Sequence, residues 1–585
     1  MRDSWKTLCL RVPMPRDFAT AELLAIILLV AVTIASWVPR LRGPIDMRWD
    51  GGVYYVLGTS LAEGKGYRLL NEPGEIEAIQ YPPLLPAIIA VHQIVLGTSD
   101  PAIVGHGLRL SFFCLYVVLV LATYFLLRAF LSVGLAFCGA AMFVLNIFPT
   151  FFSDVCFAEI PFTLAIVLFA LCHRRRESRV CGACAGIMAM LAFLLRTAGI
   201  AMLAAWVLES VAKREFKRAA ARTLVAAIPV VAWQIYIMSV QGSAAYARPA
   251  YDYQRAPYMF SNVSYATNLR MLDPFRPEAG EVNPGQLAAH FVRNLRESPG
   301  RLAESATAKE DYWKEFIHCR DLESPGARAF AEWLVFIVLS VIGILILGGV
   351  FILGVRRHII IPAYIAFSLF GVCLIPWQSQ ALRYWTPTAP FLVLALLLCV
   401  KTLWEHSTTW IRPAARWGLR SSMVLVVGAI VATQGYGQYL LYRYDHQVVR
   451  YQAGQGRQLS YRLFFYDEGF RSLDAVLDKL KQIAKPDDMI GVSIHMPQWI
   501  YLRTGLKTVM TPFEADSLKA QKLLDSVPVD YLVLNTGIDI DSALNYMLPV
   551  VHRYPELWNR VYGDKGGTTM ILERTDRHNL HHGSE

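Results

Sequence analysis

Charge is scarce in this chain. Asp, Glu, Lys and Arg together make up 17% of its 585 residues, against 55% hydrophobic and 12% aromatic, and the mean hydropathy is +0.37. That composition excludes an ordinary soluble protein. Cysteine is also thinly spread: there are ten, and none follows Cys399, which excludes a disulfide framework from the C-terminal portion. The same portion has no glycine loop fit to cradle phosphate. No internal repeat or low-complexity block occurs, which counts against a transporter built from inverted halves. Cys181 and Cys184 have CxxC spacing but open an apolar run without His or Cys companions, so they read as small residues packing between helices rather than as a metal or redox pair.

What the chain does have is apolar runs. Eleven are about as long as a bilayer is thick, some of them short or tilted: Ala21 to Val38, Leu108 to Leu127, Val133 to Phe148, Phe157 to Cys172, Val180 to Leu195, Ala198 to Val211, Leu224 to Val240, Trp333 to Val355, Ile359 to Ile375, Thr386 to Val400 and Met423 to Leu440. A further run, Leu84 to Gly97, has the length of an interfacial or re-entrant segment. The formal net charge is +10, but the cations sit in short loops between apolar runs. That is the positive-inside pattern and not a nucleic-acid footprint. With a cytoplasmic N-terminus (Arg2, Lys6, Arg11, Arg16) and Leu84 to Gly97 not crossing, the clusters at Arg174 to Arg176, Lys213 to Arg218, Arg356 and Arg357, and Arg412 to Arg420 all fall inside. A signal peptide at Ala21 to Val38 is the rival reading; the run is long for one, and many spans follow.

This topology predicts a membrane domain over 1–440 and an extracytoplasmic domain over 441–585. The outer face receives a first loop (39–107), the turn 149–156, the turn at Arg196, a long loop (241–332), the turn 377–384 and the tail. In the tail, Leu473, Val476, Leu477, Leu480 and Ile483 recur at helical spacing, with Ser472 as cap and Pro486 as stop. MIGVS and YLVLN read as buried strands with a helical LKAQKLLDS between them, so a small α/β domain is expected, for support or acceptor docking. His495 is a candidate ligand contact there, though a lone His is more often structural.

The residues suited to chemistry gather on the outer face. Asp50 precedes Val53, Val56, Leu57 and Leu61, which predicts a helix with its apolar face in the interface and Asp50 near its start; a favourable helix-dipole contact is the bland alternative. In SDVCFAEIPF, Asp154 lies in a turn and Glu159 about one turn inside a span, where an ionised group costs roughly 2.5–3.5 kcal/mol unless it faces a polar cavity. Helix capping is the alternative there. Arg383, in QSQALRYWTPTAP, offers a planar fork for phosphate oxygens, or else is a snorkelling arginine with Tyr384 and Trp385 as belt aromatics. Arg196, in LLRTAG, stands on the side where the positive-inside tendency disfavours it. The loop bearing Tyr246, Arg248, Tyr251, Tyr253, Arg255 and Tyr258 is suited to close over a sugar or headgroup, or is a plain interfacial loop.

RWDGGVYYVLGTSLAEGKGY, followed by QYPPLLPAIIAVHQIVLG, SDVCFAEIPF, LLRTAG and ALRYWTPTAP, resembles the GT-C glycosyltransferase superfamily, and most narrowly its branch of protein O-mannosyltransferases and lipid A aminoarabinose transferases. The resemblance covers the membrane portion, the first seven spans above all; the tail resembles no named family. It implies a first-loop acid, here Asp50, and a second-loop acid, here Asp154 or Glu159; Tyr81, Pro82, Pro83 and Pro86 fit as well. It implies inverting transfer of a sugar from a polyprenyl phosphate donor to a lipid, glycan or protein acceptor on the outer face. Asp50 is then the expected general base, and Arg383 with Arg196 the expected phosphate contacts. Tyr54, Tyr55, Tyr81, Tyr384, Arg248 and Tyr251 are the candidate substrate contacts. No cofactor is required; paired acids leave room for a divalent cation, but no ligand cluster demands one. The bacterial inner or plasma membrane is the expected location. A polyprenyl-pyrophosphate glycan ligase or polymerase, and a lipid or sugar transporter or flippase, are the alternatives.

Overall fold

A computed structural model describes residues 16–376, 380–410, 413–452, 458–493, 496–538, 542–564 and 566–576. His495, Arg412 and the N-terminal cations Arg2, Lys6 and Arg11 lie outside the described residues.

Each of the eleven apolar runs coincides with a helix or, at Val133 to Phe148, with a pair of helices. Among the described residues, six helices are long and apolar enough to cross a membrane, namely Thr20–Arg40, Pro101–Arg128, Phe216–Gln241, Pro325–Val355, Ala381–Ser407 and Arg416–Asp445. The pair Val133–Leu145 and Ile147–Asp154 makes a seventh if its 55° bend lies within one span. Asn146 makes that bend: its backbone is extended, and its side chain accepts from Phe148 N at 3.0 Å to cap the second helix. The remaining runs form the shorter helices Glu159–Arg174, Arg179–Leu195, Ile200–Ala212 and Ile360–Cys373. The chain is an integral membrane protein. Leu84–Leu96 is a helix of 13 residues, about 20 Å long and so shorter than a bilayer core.

Small residues let the long helices approach closely. A Cβ on Gly349 would lie 1.8 Å from the Ala395 carbonyl oxygen, and one on Gly343 would lie 2.1 Å from that of Pro299, in the helix Pro284–Ala306 that the long loop forms. Helix pairs in a bilayer associate through such backbone proximity, since lipid supplies no hydrophobic drive between them.

The helix Asp50–Ala62 corrects one expectation. It does not lie in the interface, because Gly51 through Ser60 are all buried. The Leu84–Leu96 helix covers one side, with Ile89 against Gly58, and Trp499 of the tail covers another, against Gly52.

The tail begins with an antiparallel hairpin of β1 (His446–Gln452) and β2 (Gln458–Phe464). Five further strands follow: β3 (Met489–Val492), β4 (Thr508–Met510), β5 (Val529–Asn535), β6 (Trp558–Gly563) and β7 (Thr569–Arg574). They form one sheet in the order β4-β3-β5-β7-β6, parallel from β4 to β5 and antiparallel beyond. MIGVS and YLVLN are its strands β3 and β5, and between them stand the expected helix, Ser517–Asp525, and a second one, Pro497–Thr504. The preceding helix, Glu468–Ile483, starts earlier than expected. Asp467 is its cap, accepting from Phe470 N at 3.3 Å, while the Ser472 hydroxyl donates to Thr569 Oγ1 at 2.7 Å.

Candidate active site

Two acid-bearing loops meet in parallel. Asp46 N donates to Asp154 O at 3.1 Å and Cys156 N donates to Asp46 O at 2.8 Å, which makes a parallel bridge between Asp46 and Val155. Four residues beyond these partners stand Asp50 and Glu159. Parallel register carries both acids the same way, and each opens a helix, Asp50–Ala62 and Glu159–Arg174. A helix N-terminus favours a negative charge.

Arg383, in the short helix Ala381–Trp385, spans the two acids. Its Nη2 donates to Asp50 Oδ2 at 2.5 Å and its Nε to Glu159 Oε1 at 2.5 Å. The guanidinium carbon lies 4.3 Å from the centre of the Phe157 ring. Arg196 pairs with the same Glu159 oxygen and sits 5.4 Å from the Tyr384 ring centre. The Tyr81 hydroxyl donates to Asp50 Oδ1 at 3.1 Å, and the Tyr54 ring meets Tyr81 edge-on at 5.0 Å. The Tyr265 hydroxyl donates to that of Tyr384 at 3.4 Å.

Two carboxylates thus balance two guanidiniums. The Glu159 side chain is wholly buried, whereas those of Asp50, Arg383 and Arg196 keep 24%, 17% and 13% of their exposure, so the cluster opens on the Asp50 side. Burial pushes the Asp50 carboxyl up, but the charge and hydrogen bond of Arg383 outweigh it and hold the group below its ordinary value.

Of the two second-loop acids, Glu159 joins Asp50 and Asp154 does not. Both Asp154 oxygens are taken by Arg109, at 3.0 and 2.9 Å, in a pair almost without solvent contact. Tyr55 points away from the acids, its hydroxyl donating to Ser99 O at 2.8 Å. The long loop does not stand free to close over a ligand. Tyr251 donates to Glu72 Oε2 at 2.7 Å, Tyr258 stacks on Phe513 of the tail at 5.3 Å, and Tyr253 is buried beside them. Packing against the tail consumes their apolar faces. Arg248 is exposed and touches none of the four charged residues. Sequence reasoning missed Phe157, Tyr265 and Trp499, since ordinary aromatics carry no signal until the fold places them. Among the described residues no three His, Cys, Asp or Glu side chains gather as a metal site.

No protein-family model matches the chain, and no curated protein matches it. Solved structures resemble it. The apo crystal structure of ArnT from Cupriavidus metallidurans aligns with a TM-score of 0.51 at 10% identity, covering 94% of this chain and 97% of that one. An oligosaccharyltransferase of Archaeoglobus fulgidus, crystallised with Zn and sulfate, aligns with a TM-score of 0.52 at 11% identity, covering 94% of this chain and 73% of that one. Its apo form aligns at 0.50 and 13% identity, over 95% and 74%. These likenesses establish the fold as the GT-C fold.

Proposed function

We propose that this protein is a GT-C glycosyltransferase with eleven spans and a cytoplasmic N-terminus, moving a sugar from a polyprenyl phosphate donor to an acceptor nucleophile on the extracytoplasmic face. The observation that carries the reading is the bridging of Asp50 and Glu159, each the first residue of its helix, by Arg383, open on the Asp50 side. A transporter would instead set its ionisable groups near the midplane.

The cluster suits an inverting transfer. The acceptor O–H attacks the anomeric carbon from the face opposite the leaving group. The new C–O bond forms as the bond to the phosphate oxygen breaks, and that oxygen keeps the electron pair. Asp50 takes the acceptor proton, and Arg383 with Arg196 meets the charge gathering on the phosphate. At rest, Arg383 holds Asp50 at 2.5 Å, which makes the acid a poor base. A donor phosphate competing for the guanidinium frees Asp50 and raises its basicity where the proton must be taken. Glu159, buried and shared by both arginines, keeps them in place while the phosphate binds.

The test is a panel of polyprenyl phosphate sugars offered to purified protein, scored by release of the polyprenyl phosphate. Turnover of one donor supports the reading and names the sugar. Release from a pyrophosphate-linked glycan alone would move the protein to the ligase class, and no turnover with any carrier would contradict transfer.

A further inference from the structure

Behind the acids lies a clamp between the membrane domain and the tail. Arg48 grips Asp46 with Nε at 3.0 Å and Nη2 at 2.7 Å, then reaches the end of β2, donating Nη2 to Phe464 O at 2.6 Å and Nη1 to Phe465 O at 2.8 Å. Arg109, while holding Asp154, donates to Arg462 O at 3.3 Å and to Arg42 O at 2.5 Å. Asp46, Arg48, Arg109 and Asp154 are each 2% exposed or less. Buried ion pairs seldom add stability over apolar packing; their hydrogen bonds fix geometry instead. Here they fix the loops bridged at Asp46 and Val155.

The backbone on both sides of the clamp is under strain. Trp49, one residue before Asp50, has φ +54°, and Phe465 of the tail has φ +52°, a region that bulky L-residues rarely adopt. The Phe151 ring stands between them, edge-on to Trp49 at 6.1 Å and to Phe465 at 5.2 Å. Phe470 of the tail closes the cage, edge-on to Trp49 at 5.8 Å and 4.2 Å from the Arg48 guanidinium. Strained backbone persists only where its surroundings over-determine it.

We infer that Arg48, Trp49 and Phe470 form a positioning device through which the C-terminal domain holds the turn before Asp50 and so sets that carboxylate against Arg383. The activity half of this inference rests on the transferase reading; the structural half does not.

The experiment compares full-length wild type with Arg48→Lys, which keeps the charge but loses the fork, and with Phe470→Leu and Phe470→Tyr. Hydrogen exchange is followed in peptides over 47–57 and, as a control, over 335–350, with donor turnover measured alongside. In Arg48→Lys and Phe470→Leu, exchange over 47–57 should rise at least about tenfold with the control unchanged. Turnover should fall about 10- to 100-fold in kcat, with donor KM within about twofold, because misplacing a reacting group costs rate rather than binding. Phe470→Tyr, which keeps the ring, should restore both. Unchanged exchange over 47–57, or a loss carried by KM alone, would overturn the inference. If Arg48→Lys does not fold, Phe470→Leu decides; if wild type turns over no donor, the transferase reading fails and exchange alone decides the clamp.

Discussion

Glu72 is an acid buried in the first external loop, 1% exposed and held by neutral donors, the Tyr251 hydroxyl at 2.7 Å and the Gln254 amide at 3.4 Å. Burial pushes its carboxyl up to about 7, so across the window from the ordinary value to about 7 the folded chain holds a proton that the unfolded chain has lost. The stability this gives is present in full below that window and is lost as pH rises through about 7. Glu72→Gln should therefore remove up to about 3 kcal/mol of alkaline destabilisation. Thermal melts at pH 5.5 and pH 8 are expected to differ less in the variant than in wild type; identical pH profiles would mean that Glu72 is not buried as a neutral acid. At this scale the sequence was partly legible. Asp50, Glu159, Arg196 and Arg383 stood out as ionisable groups at or near helix ends on the expected outer face, and they do meet. Tyr54 and Tyr55 looked equivalent, but adjacent helical residues point about 100° apart, and only Tyr54 faces the acids. Asp154 and Glu159 could not be told apart because the partner that claims Asp154, Arg109, lies 45 residues earlier in another helix, Pro101–Arg128.

At the scale of elements, hydropathy located the long apolar helices but not the 23-residue helix Pro284–Ala306, whose polar composition hid it inside the long loop, and the contacts that arrange the helices left no local trace. The parallel bridge between Asp46 and Val155 joins segments more than a hundred residues apart through backbone atoms alone, so no side-chain pattern announces it. The tail's central strands were legible as buried apolar runs. The polar, partly exposed β6 was not, because solvated edge strands lose the apolar signature. Helix packing offers its own check. The helices Pro325–Val355 and Ala389–Trp410 cross at Gly349, where an added Cβ would run into the Ala395 carbonyl. Gly349→Val should separate them at a cost of about 1–3 kcal/mol, seen as a lower melting temperature in detergent. An unchanged melt would mean that the crossing is looser than described.

For the molecule as a whole, the tail is part of the site's frame. Besides the Arg48 clamp, Thr508 N donates to Asn71 O at 2.9 Å, and Lys507 reaches Glu75 and the Leu70 carbonyl. The first loop is thus held by the tail on both sides of Asp50, contacts that agree with the support half of the expected support or acceptor docking. Carbonyls accepting from arginines some 400 residues away are invisible to composition and periodicity. The central claim, that the opening beside Arg383 is where a sugar changes hands with Asp50 as base, is tested most directly by Asp50→Asn, assayed with the donor that wild type turns over. The variant should fold and bind donor as wild type does, yet release polyprenyl phosphate at least about a hundredfold more slowly, the loss expected when a general base is removed. Release at the wild-type rate from a folded Asp50→Asn protein would contradict the claim.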